Sequence, residues 1–374
     1  MTRTEQQFFA LLQGGLWGTL PDASLFAGEA DWHAIYELAK KQTVFGLVGD
    51  GLALQVANSE IPETEKVPVQ WRKKFLVQVV KVERRNDNLN SFIARYNAIF
   101  SEAGIVPVIV KGQGVALCYE NPSHRQSGDI DYLLSPEEYV RAREILAPLA
   151  SEIEKEDTKR LHYNCTVEGI TVELHGAIAE HQLEGQEKAL AAFLEENMRK
   201  PLHYWELEGE RIPLMNHYFN VIYILQHFHH HMLTSGVGLR QLCDWARYIY
   251  TFRDELDADA LASDLAKLSL LRAWKIYAAL AVDIIGMDPA RMPLYEPSYG
   301  RYSQRLWRII DKTGNFGKYD GGRPDAHMRL LPRKIKSFSF MVKQTGRLFR
   351  VFPRESFRRL VRGTLYGLGR LNTD

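Results

Sequence analysis

The chain of 374 residues has few cysteines, no long apolar run and almost no excess of either charge. Its three cysteines are widely spaced and odd in number, which argues against a disulfide framework or a cysteine-rich zinc site and favours a reducing, cytoplasmic location. No run of about 18 apolar residues occurs, so no membrane-spanning helix is predicted. The net charge of +1 argues against a surface that binds nucleic acid along its whole length.

The content of apolar residues, 45%, and of charged residues, 25%, indicates a globular protein, and its length allows two or three domains. Apolar residues follow helical spacing up to about residue 103, strand and helix patterns alternate up to residue 214, and helical spacing then returns. We therefore predict an α+β fold, with a small mixed β-sheet core between two helical regions. The predicted units are an N-terminal helical region 1–103, an α/β core 104–214, a C-terminal helical domain 215–328 and a basic amphipathic segment 329–374.

Several residues mark where elements begin or end. Asp31 and Ser135 stand directly before helical patterns and are residue types that cap helices. Gly104 is predicted to end a long helix. Pro107 indicates that an apolar strand begins near it or lies at a sheet edge. The predicted strands cover residues 105–110, 128–134, 162–168, 170–174, 204–207 and 211–214, of which the last four form two tight hairpins.

Two acidic residues, Asp129 and Asp131, stand on a predicted strand that is otherwise apolar. Residues two apart on a strand point to the same side, so the two carboxylates converge while Ile130 points into the core. Convergent carboxylates in an apolar setting are costly unless a cation lies between them. The pair therefore predicts a Mg²⁺ site, and Mg²⁺ held in this way usually also holds substrate phosphates. A solvated Asp-x-Asp strand is the alternative.

A third acid, Glu173, lies on the predicted strand 170–174, on the same face as His175. A carboxylate on a strand next to the aspartates would complete a two-metal site. The alternative is an ordinary glutamate on a half-exposed strand.

The sequence Lys111-Gly-Gln-Gly114 lies where a strand meets a predicted helix. Exposed amides at such a turn bind anions, which makes Lys111, Gly112 and Gly114 candidates for phosphate binding. Arg125 is a further candidate, since a guanidinium group can donate two parallel hydrogen bonds to phosphate oxygens. The alternative for the glycine segment is an ordinary turn. For Arg125 the alternatives are an arginine at a helix end and a salt bridge to one of the aspartates. The P-loop pattern is absent.

The histidines at 227 and 231 are four residues apart on a predicted helix and share a face. The zincin pattern is absent, which argues against a zinc site. We expect His227 and His231, with Arg240 and Asp244 of the next helix, to line a cleft that faces the carboxylates. The alternative is a buried hydrogen-bonding cluster that joins the two helices.

The C-terminal segment 329–374 contains twelve Lys or Arg residues and only two acids, Glu355 and Asp374. Its aromatic and leucine residues recur at helical spacing, which predicts an amphipathic helix. Three interpretations stay open: packing onto the protein's own helices, contact with an anionic membrane surface, and nucleic-acid binding. The last is the least favoured, since no reader motif is present.

Together these features resemble the uncharacterised bacterial nucleotidyltransferase family of the DNA-polymerase-β-like superfamily. That family combines an apolar strand with Lys-Gly, a helix that ends near a tyrosine, an arginine, Asp-Ile-Asp-Leu-Leu, and later a strand with an acid, an apolar residue and histidine. The matching segments here are Val110-Lys-Gly112, Tyr119, Arg125, Asp129-Ile-Asp-Tyr-Leu133, Val172-Glu-Leu-His175, and the helical segments 225–231 and 239–244. The resemblance covers roughly residues 30–290. The superfamily's Gly-Ser pair is absent, and Glu173 stands where Asp is commoner.

The resemblance implies a nucleotidyltransferase core that transfers a nucleoside monophosphate from an NTP, with ATP favoured, to a hydroxyl of a small molecule, sugar or protein. It implies two Mg²⁺ ions, with Mn²⁺ as the alternative, held by Asp129, Asp131 and Glu173. Lys111, Gly112, Gly114, Arg125 and His175 would then bind the nucleotide and its phosphates.

Two other hypotheses remain. A metal-dependent glycosyltransferase that uses a nucleotide sugar also holds its metal with Asp-x-Asp, but such a fold normally places a βαβ unit before the motif, where this chain looks helical. A catalytically inactive nucleotide-binding protein is the third hypothesis, which Glu173 and the unusual Gln113 leave open.

Overall fold

A seven-stranded mixed sheet with helices before and after it confirms the predicted α+β fold. The computed structural model describes residues 1–154, 156–158, 161–177, 186–198, 202–322 and 330–369. The strands are β1 Val108–Ile109, β2 Asp129–Leu133, β3 Ala150–Ile153, β4 His162–Val167, β5 Ile170–His175, β6 His203–Leu207 and β7 Glu210–Leu214. The helices are α1 Arg3–Trp17, α2 Trp32–Gln42, α3 Phe45–Ala57, α4 Val69–Glu102, α5 Gln113–Ala116, α6 Pro136–Leu146, α7 Gln186–Met198, α8 His217–Thr234, α9 Leu239–Phe252, α10 Ala258–Lys267, α11 Leu271–Ile285, α12 Ser303–Thr313, α13 Leu330–Leu348 and α14 Pro353–Gly369.

The strand order of the sheet is β3-β4-β5-β2-β1-β7-β6. The pairs β2–β5 and β1–β7 are parallel, and the other neighbours are antiparallel. The register of β2 and β5 places Asp131 opposite Glu173 and Asp129 opposite Thr171. Because side chains alternate along each strand, this register brings the two aspartates and the glutamate to the same face of the sheet.

Both predicted hairpins are confirmed, and their turns explain their register. Glu168 and Gly169 connect β4 to β5 with φ angles of 51° and 73°, and Glu208 and Gly209 connect β6 to β7 with 50° and 87°. Two consecutive residues with positive φ form the tight turn whose twist matches that of the flanking strands, and glycine at the second position adopts it at little cost.

Two predicted elements are shorter than expected. The strand predicted over 105–110 is reduced to Val108–Ile109, since it begins only after Pro107, which lacks an N–H to donate. This strand lies between β2 and β7, so the interpretation of an edge strand is wrong and that of a strand beginning near Pro107 is right. The helix predicted after Lys111 is α5, a single turn.

The helix ends that the sequence marks are confirmed. Asp31 accepts a hydrogen bond from the Ala34 amide at 2.9 Å. Ser135 accepts one from the Glu138 amide at 3.2 Å, and the Glu138 carboxylate accepts one from the Ser135 amide at 3.0 Å. This reciprocal pair satisfies two amides that the first turn of α6 leaves without helical partners. The long helix predicted before Gly104 is α4, which ends at Glu102.

The described residues form two apolar cores. One joins helices from both ends of the chain, including Phe8, Trp274 and Trp307, so the N-terminal and C-terminal helices pack together. The other lies under the sheet and includes Ile130 and Val172, which confirms that Ile130 points away from the aspartates and into the core. The division of the chain into four units stays a prediction.

The three cysteines, Cys118, Cys165 and Cys243, are buried and free. Within the described ranges, no helix combines the length and the apolar character that crossing a membrane requires.

Candidate active site

A cavity of about 510 Å³ lies between the sheet and helices α8 and α9. The three predicted acids, Asp129, Asp131 and Glu173, line one side of it. The residues predicted to form a cleft also line it, and these are His227, His231, Arg240 and Asp244. The structure therefore brings together two sets of residues that are between 54 and 115 positions apart in the sequence.

The aspartate pair is electrostatically strained. Burial raises the pKa of Asp129, and the nearby charge of Asp131 raises it further, while Arg240 and Lys111 act in the opposite direction. A carboxyl group whose ionised form is disfavoured by burial and by a like charge gains from a nearby cation. This is the physical reason to place a divalent ion beside Asp129.

The second aspartate, Asp131, is 5% exposed and is held in its ionised form. Its Oδ1 lies 2.7 Å from Nζ of Lys111 and 3.0 Å from Nε2 of His175. Burial opposes ionisation, but these two neighbours hold the pKa of Asp131 well below its usual range. Asp131 therefore carries a negative charge that is already compensated, whereas Asp129 has weaker compensation.

Glu173 lies beside two histidines. Its Oε2 is 3.4 Å from Nε2 of His162 and 3.6 Å from Nε2 of His175. Burial would raise the pKa of Glu173, but the hydrogen bond with His162 lowers it below its ordinary value. The same hydrogen bond raises the pKa of the His162 imidazole.

His162 is a site residue that reasoning from the sequence missed, although a feature of the sequence could have found it. A two-residue turn at 168 and 169 fixes the hairpin register, so residues equally far from the turn are paired. Counting outward from the turn pairs His162 with His175, as the structure shows.

Lys111 was predicted to bind phosphate, and its ammonium group lies between the acids and α8. Besides Asp131, its Nζ lies 3.3 Å from Nδ1 of His227. Gly112 also lines the cavity. The amide of Gly114 donates to the Lys111 carbonyl at 3.1 Å, and a side chain at this position would meet Leu214. The Gly114 amide thus stabilises the turn. The phosphate contacts of Lys111, Gly112 and Gly114 stay predictions.

The guanidinium of Arg125 forms two hydrogen bonds to the carboxylate of Asp244, at 2.7 and 2.8 Å. Both side chains are less than 10% exposed, and the hydroxyl of Tyr119 donates to Asp244 at 2.8 Å. Burial opposes the charge on Arg125, but Asp244 raises its pKa above the ordinary value. Arg125 thus pairs with Asp244 rather than with Asp129 or Asp131, a partner that the sequence did not indicate. Since Arg125 also lines the cavity, its phosphate contact stays a prediction.

The wall opposite the acids is basic and aromatic. Arg240 donates from Nη1 to the Gln126 carbonyl at 2.7 Å, and burial lowers its pKa. The rings of His227 and His231 are 4.4 Å apart, and the ring of Phe316 lies 4.9 Å from that of His231. Positive and aromatic groups facing a carboxylate wall suit an anionic, ring-bearing ligand such as a nucleotide.

Among the described residues, His162, Glu173 and His175 could hold a metal ion, since their ligand atoms all lie within 4.8 Å of one another. The three predicted carboxylates are not a set whose ligand atoms lie this close, and Glu173 has two histidines beside it instead. His175 lies between Asp131 and Glu173 and lines the cavity, and its predicted contact with the nucleotide stays a prediction.

A family model described as an uncharacterised nucleotidyltransferase matches residues 28–286. No curated protein and no solved structure matches the chain. The matched region includes the three acids, Lys111 and both cavity helices. Because it covers well over half of the 374 residues, the chain belongs to this family of uncharacterised nucleotidyltransferases.

Proposed function

We propose that this protein is a metal-dependent nucleotidyltransferase. It transfers a nucleoside monophosphate from an NTP, with ATP as the favoured donor, to a hydroxyl group of a small molecule, sugar or protein. The observation that carries this proposal is the convergence of Asp129, Asp131 and Glu173 on one cavity from two neighbouring parallel strands. Family membership and the resemblance to the DNA-polymerase-β-like superfamily support the class of reaction.

The residues fit divalent ions. The raised pKa of Asp129 marks a carboxylate that lacks sufficient positive charge, and Asp131 and Glu173 supply further oxygen ligands beside it. When bound, Mg²⁺, or Mn²⁺ as the alternative, supplies positive charge for the attacking oxygen and for the departing pyrophosphate.

The residues of the chain position the reactants. Arg240, His227 and Lys111 face the acids and would bind the triphosphate, whose negative charge their side chains compensate. The acceptor hydroxyl oxygen attacks the α-phosphorus, the bond to the oxygen that bridges the α- and β-phosphates breaks, and pyrophosphate leaves. Glu173 would orient the hydroxyl and accept its proton.

A second candidate is a nucleotide-binding protein without turnover. The observation in its favour is the 2.7 Å ion pair between Lys111 and Asp131, which compensates one catalytic carboxylate without any metal ion. The glycosyltransferase hypothesis has less support, because the chain before Asp129, all of which the structure describes, contains helices and loops and one strand, the two-residue β1, and hence no βαβ unit.

A screen of four NTPs separates these candidates. We expect pyrophosphate release with one NTP, dependent on Mg²⁺ or Mn²⁺ and abolished by a chelator, in the presence of a mixture of hydroxyl acceptors. Calorimetry on the same NTPs gives binding. An NTP that binds in a metal-dependent manner without releasing pyrophosphate would favour the inactive binder, and release of nucleoside diphosphate from a nucleotide sugar would favour the glycosyltransferase.

A further inference from the structure

The cluster at Glu173 has a ligand set that differs from an all-oxygen magnesium site. We propose that His162, Glu173 and His175 bind one divalent transition-metal ion, which this site prefers to Mg²⁺. This inference deepens the proposed function and rests on it for the role of the ion, but the ion's ligands can be identified independently of any activity.

The geometry of the cluster suits a small ion. His162 and His175 are paired across β4 and β5, with ring centres 4.9 Å apart and ring planes at 31°. Their Nε2 atoms lie 3.4 and 3.6 Å from Oε2 of Glu173. Ligands of a tetrahedral ion with bonds of about 2.1 Å are roughly 3.4 Å apart. These two separations are therefore already close to those of a bound ion, with no change of strand register.

The chemistry of the donors selects the ion. Mg²⁺ is a hard ion that prefers oxygen ligands and gives up its waters reluctantly, whereas imidazole nitrogen favours transition ions. Oδ1 of Asp131 lies 3.0 Å from Nε2 of His175, next to this set of three residues but not part of it. Glu173 would supply one negative charge to the ion directly, and Asp131, which also compensates Lys111, lies beside it.

The cluster is also accessible. The side chains of His162, Glu173 and His175 are 39%, 23% and 14% exposed, and all three line the cavity. An ion can therefore enter from the cavity, and open coordination positions would face the place where a triphosphate is proposed to bind. The competing interpretation is a metal-free network in which both histidines donate hydrogen bonds to the carboxylates.

Pulsed electron paramagnetic resonance with Mn²⁺ as the probe distinguishes these interpretations. For the whole chain without nucleotide, we expect ¹⁴N couplings from imidazole on bound Mn²⁺, and tighter binding of Mn²⁺ than of Mg²⁺ in competition. His162→Gln should remove part of the nitrogen signal and weaken Mn²⁺ binding by about tenfold or more. His230→Gln is the matched control, because His230 lines the same cavity outside the cluster and should leave the nitrogen signal unchanged.

Bound Mn²⁺ without nitrogen couplings would show an all-oxygen site and overturn this inference, as would the absence of Mn²⁺ binding or couplings that survive both His162→Gln and His175→Gln. Pyrophosphate release with Mg²⁺ is measured in parallel. If release persists while the nitrogen couplings are absent, the inference fails and the proposed function stands. Circular dichroism of each variant excludes unfolding as the cause of a lost signal.

A second inference comes from an independent feature, the C-terminal hairpin formed by α13 and α14, residues 330–369. We propose that its outer face lies on the surface of an anionic lipid bilayer. In the part of the chain that the structure describes, the exposed phenylalanines are all in this hairpin, and these are Phe338, Phe349 and Phe357, each between 46% and 60% exposed. Exposed phenylalanine side chains collected in one element indicate a surface that contacts an apolar phase.

The exposed apolar residues follow the helix period. On α13 they are Ile335, Phe338 and Val342, and on α14 they are Phe357, Leu360 and Val361. Intervals of three and four residues place each set on one helix face. The opposite side is anchored to the protein, where Leu348, Val351 and Phe352 are fully buried and Gln344 donates to the Met232 carbonyl of α8 at 3.1 Å.

The charge of the hairpin selects the partner. It contains ten Lys or Arg residues and one acid, Glu355, which leaves a net charge of −8 for the rest of a chain whose total is +1. Six of the ten basic residues are exposed, and these are Arg333, Lys343, Arg350, Arg354, Arg358 and Arg362. Apolar side chains that insert at the headgroup boundary and cations that contact anionic headgroups are the two components of interfacial binding. Binding to a nucleic-acid backbone is electrostatic and gives exposed apolar side chains no surface into which they can insert.

Sedimentation with vesicles tests this surface. We expect the whole chain to bind vesicles of phosphatidylcholine with phosphatidylserine, to bind phosphatidylcholine alone much less, and to be released by salt. Phe357→Ser should reduce binding several-fold. The matched control is Leu76→Ser, because Leu76 is as exposed on α4 as Phe357 is on α14, at 60% each, but lies outside the hairpin.

Three outcomes would contradict this second inference. Equal binding to neutral and anionic vesicles would remove the role of charge, and equal effects of the two serine variants would remove the role of the hairpin. A gel shift with RNA in the absence of vesicle binding would assign the surface to nucleic acid instead. Sedimentation velocity without lipid checks that a second copy of the chain does not cover the face.

Discussion

Replacing Asp129 with asparagine is expected to reduce nucleotidyl transfer by about a thousandfold or more while leaving the fold at least as stable as the wild type. The activity is lost because a neutral amide holds a divalent ion poorly. The stability is retained because burial and the charge of Asp131 raise the pKa of Asp129. A carboxyl group whose pKa is raised by folding costs stability once the pH exceeds its pKa in the unfolded chain, and the cost is complete above its pKa in the folded protein. Asparagine does not ionise, so this substitution removes the cost. Pyrophosphate release and metal-free thermal unfolding measure the two effects.

The matched variant is Asp131→Asn, which should lose transfer to the same extent but also lose stability. Its carboxylate compensates Lys111 at 2.7 Å, and the lysine side chain is only 12% exposed. Removal of Asp131 would leave that ammonium group with less compensation in a buried place. An Asp129→Asn protein that keeps wild-type transfer, under conditions where the wild type is active, would contradict the proposed catalytic site.

Much of this site followed from local patterns in the sequence. Alternation along β2 placed Asp129 and Asp131 on one side and Ile130 in the core, because a strand has a strict period of two. The same rule oriented Glu173 on β5. The hairpin turn at Gly169 also fixes His162 as the partner of His175.

Other features depend on tertiary packing that no local pattern encodes. The ammonium group of Lys111, which precedes a glycine turn, pairs with Asp131. The partner of Arg125 is Asp244, on a helix more than a hundred residues later. Neither pairing was indicated by the sequence, and the phosphate contacts of both residues stay predictions. Long cationic side chains sample many directions, and the docking of α9 brings Asp244 to Arg125.

The buried pair of Arg125 and Asp244 gives the largest expected effect on stability. Asp244→Ala would leave the guanidinium uncompensated and the Tyr119 hydroxyl without its acceptor. Breaking a buried ion pair from one side typically costs about 3–5 kcal/mol in the free energy of unfolding, against about 0–1 kcal/mol for a surface pair. Urea unfolding of Asp244→Ala measures this loss, and a loss in the surface range would contradict the burial and geometry described above.

The double variant Arg125→Met with Asp244→Leu should recover much of that stability, because no charge is then buried without a partner. If this double variant folds, it also distinguishes between a structural role of Arg125 and a role in binding the nucleotide. If the guanidinium only joins the loop before β2 to α9, transfer returns in the double variant together with stability. If it also contacts a phosphate of the nucleotide, the double variant folds but binds the NTP more weakly, with a raised KM. A double variant as unstable as Asp244→Ala would show that the hydrogen-bond geometry, and not the unpaired charge, determines the loss.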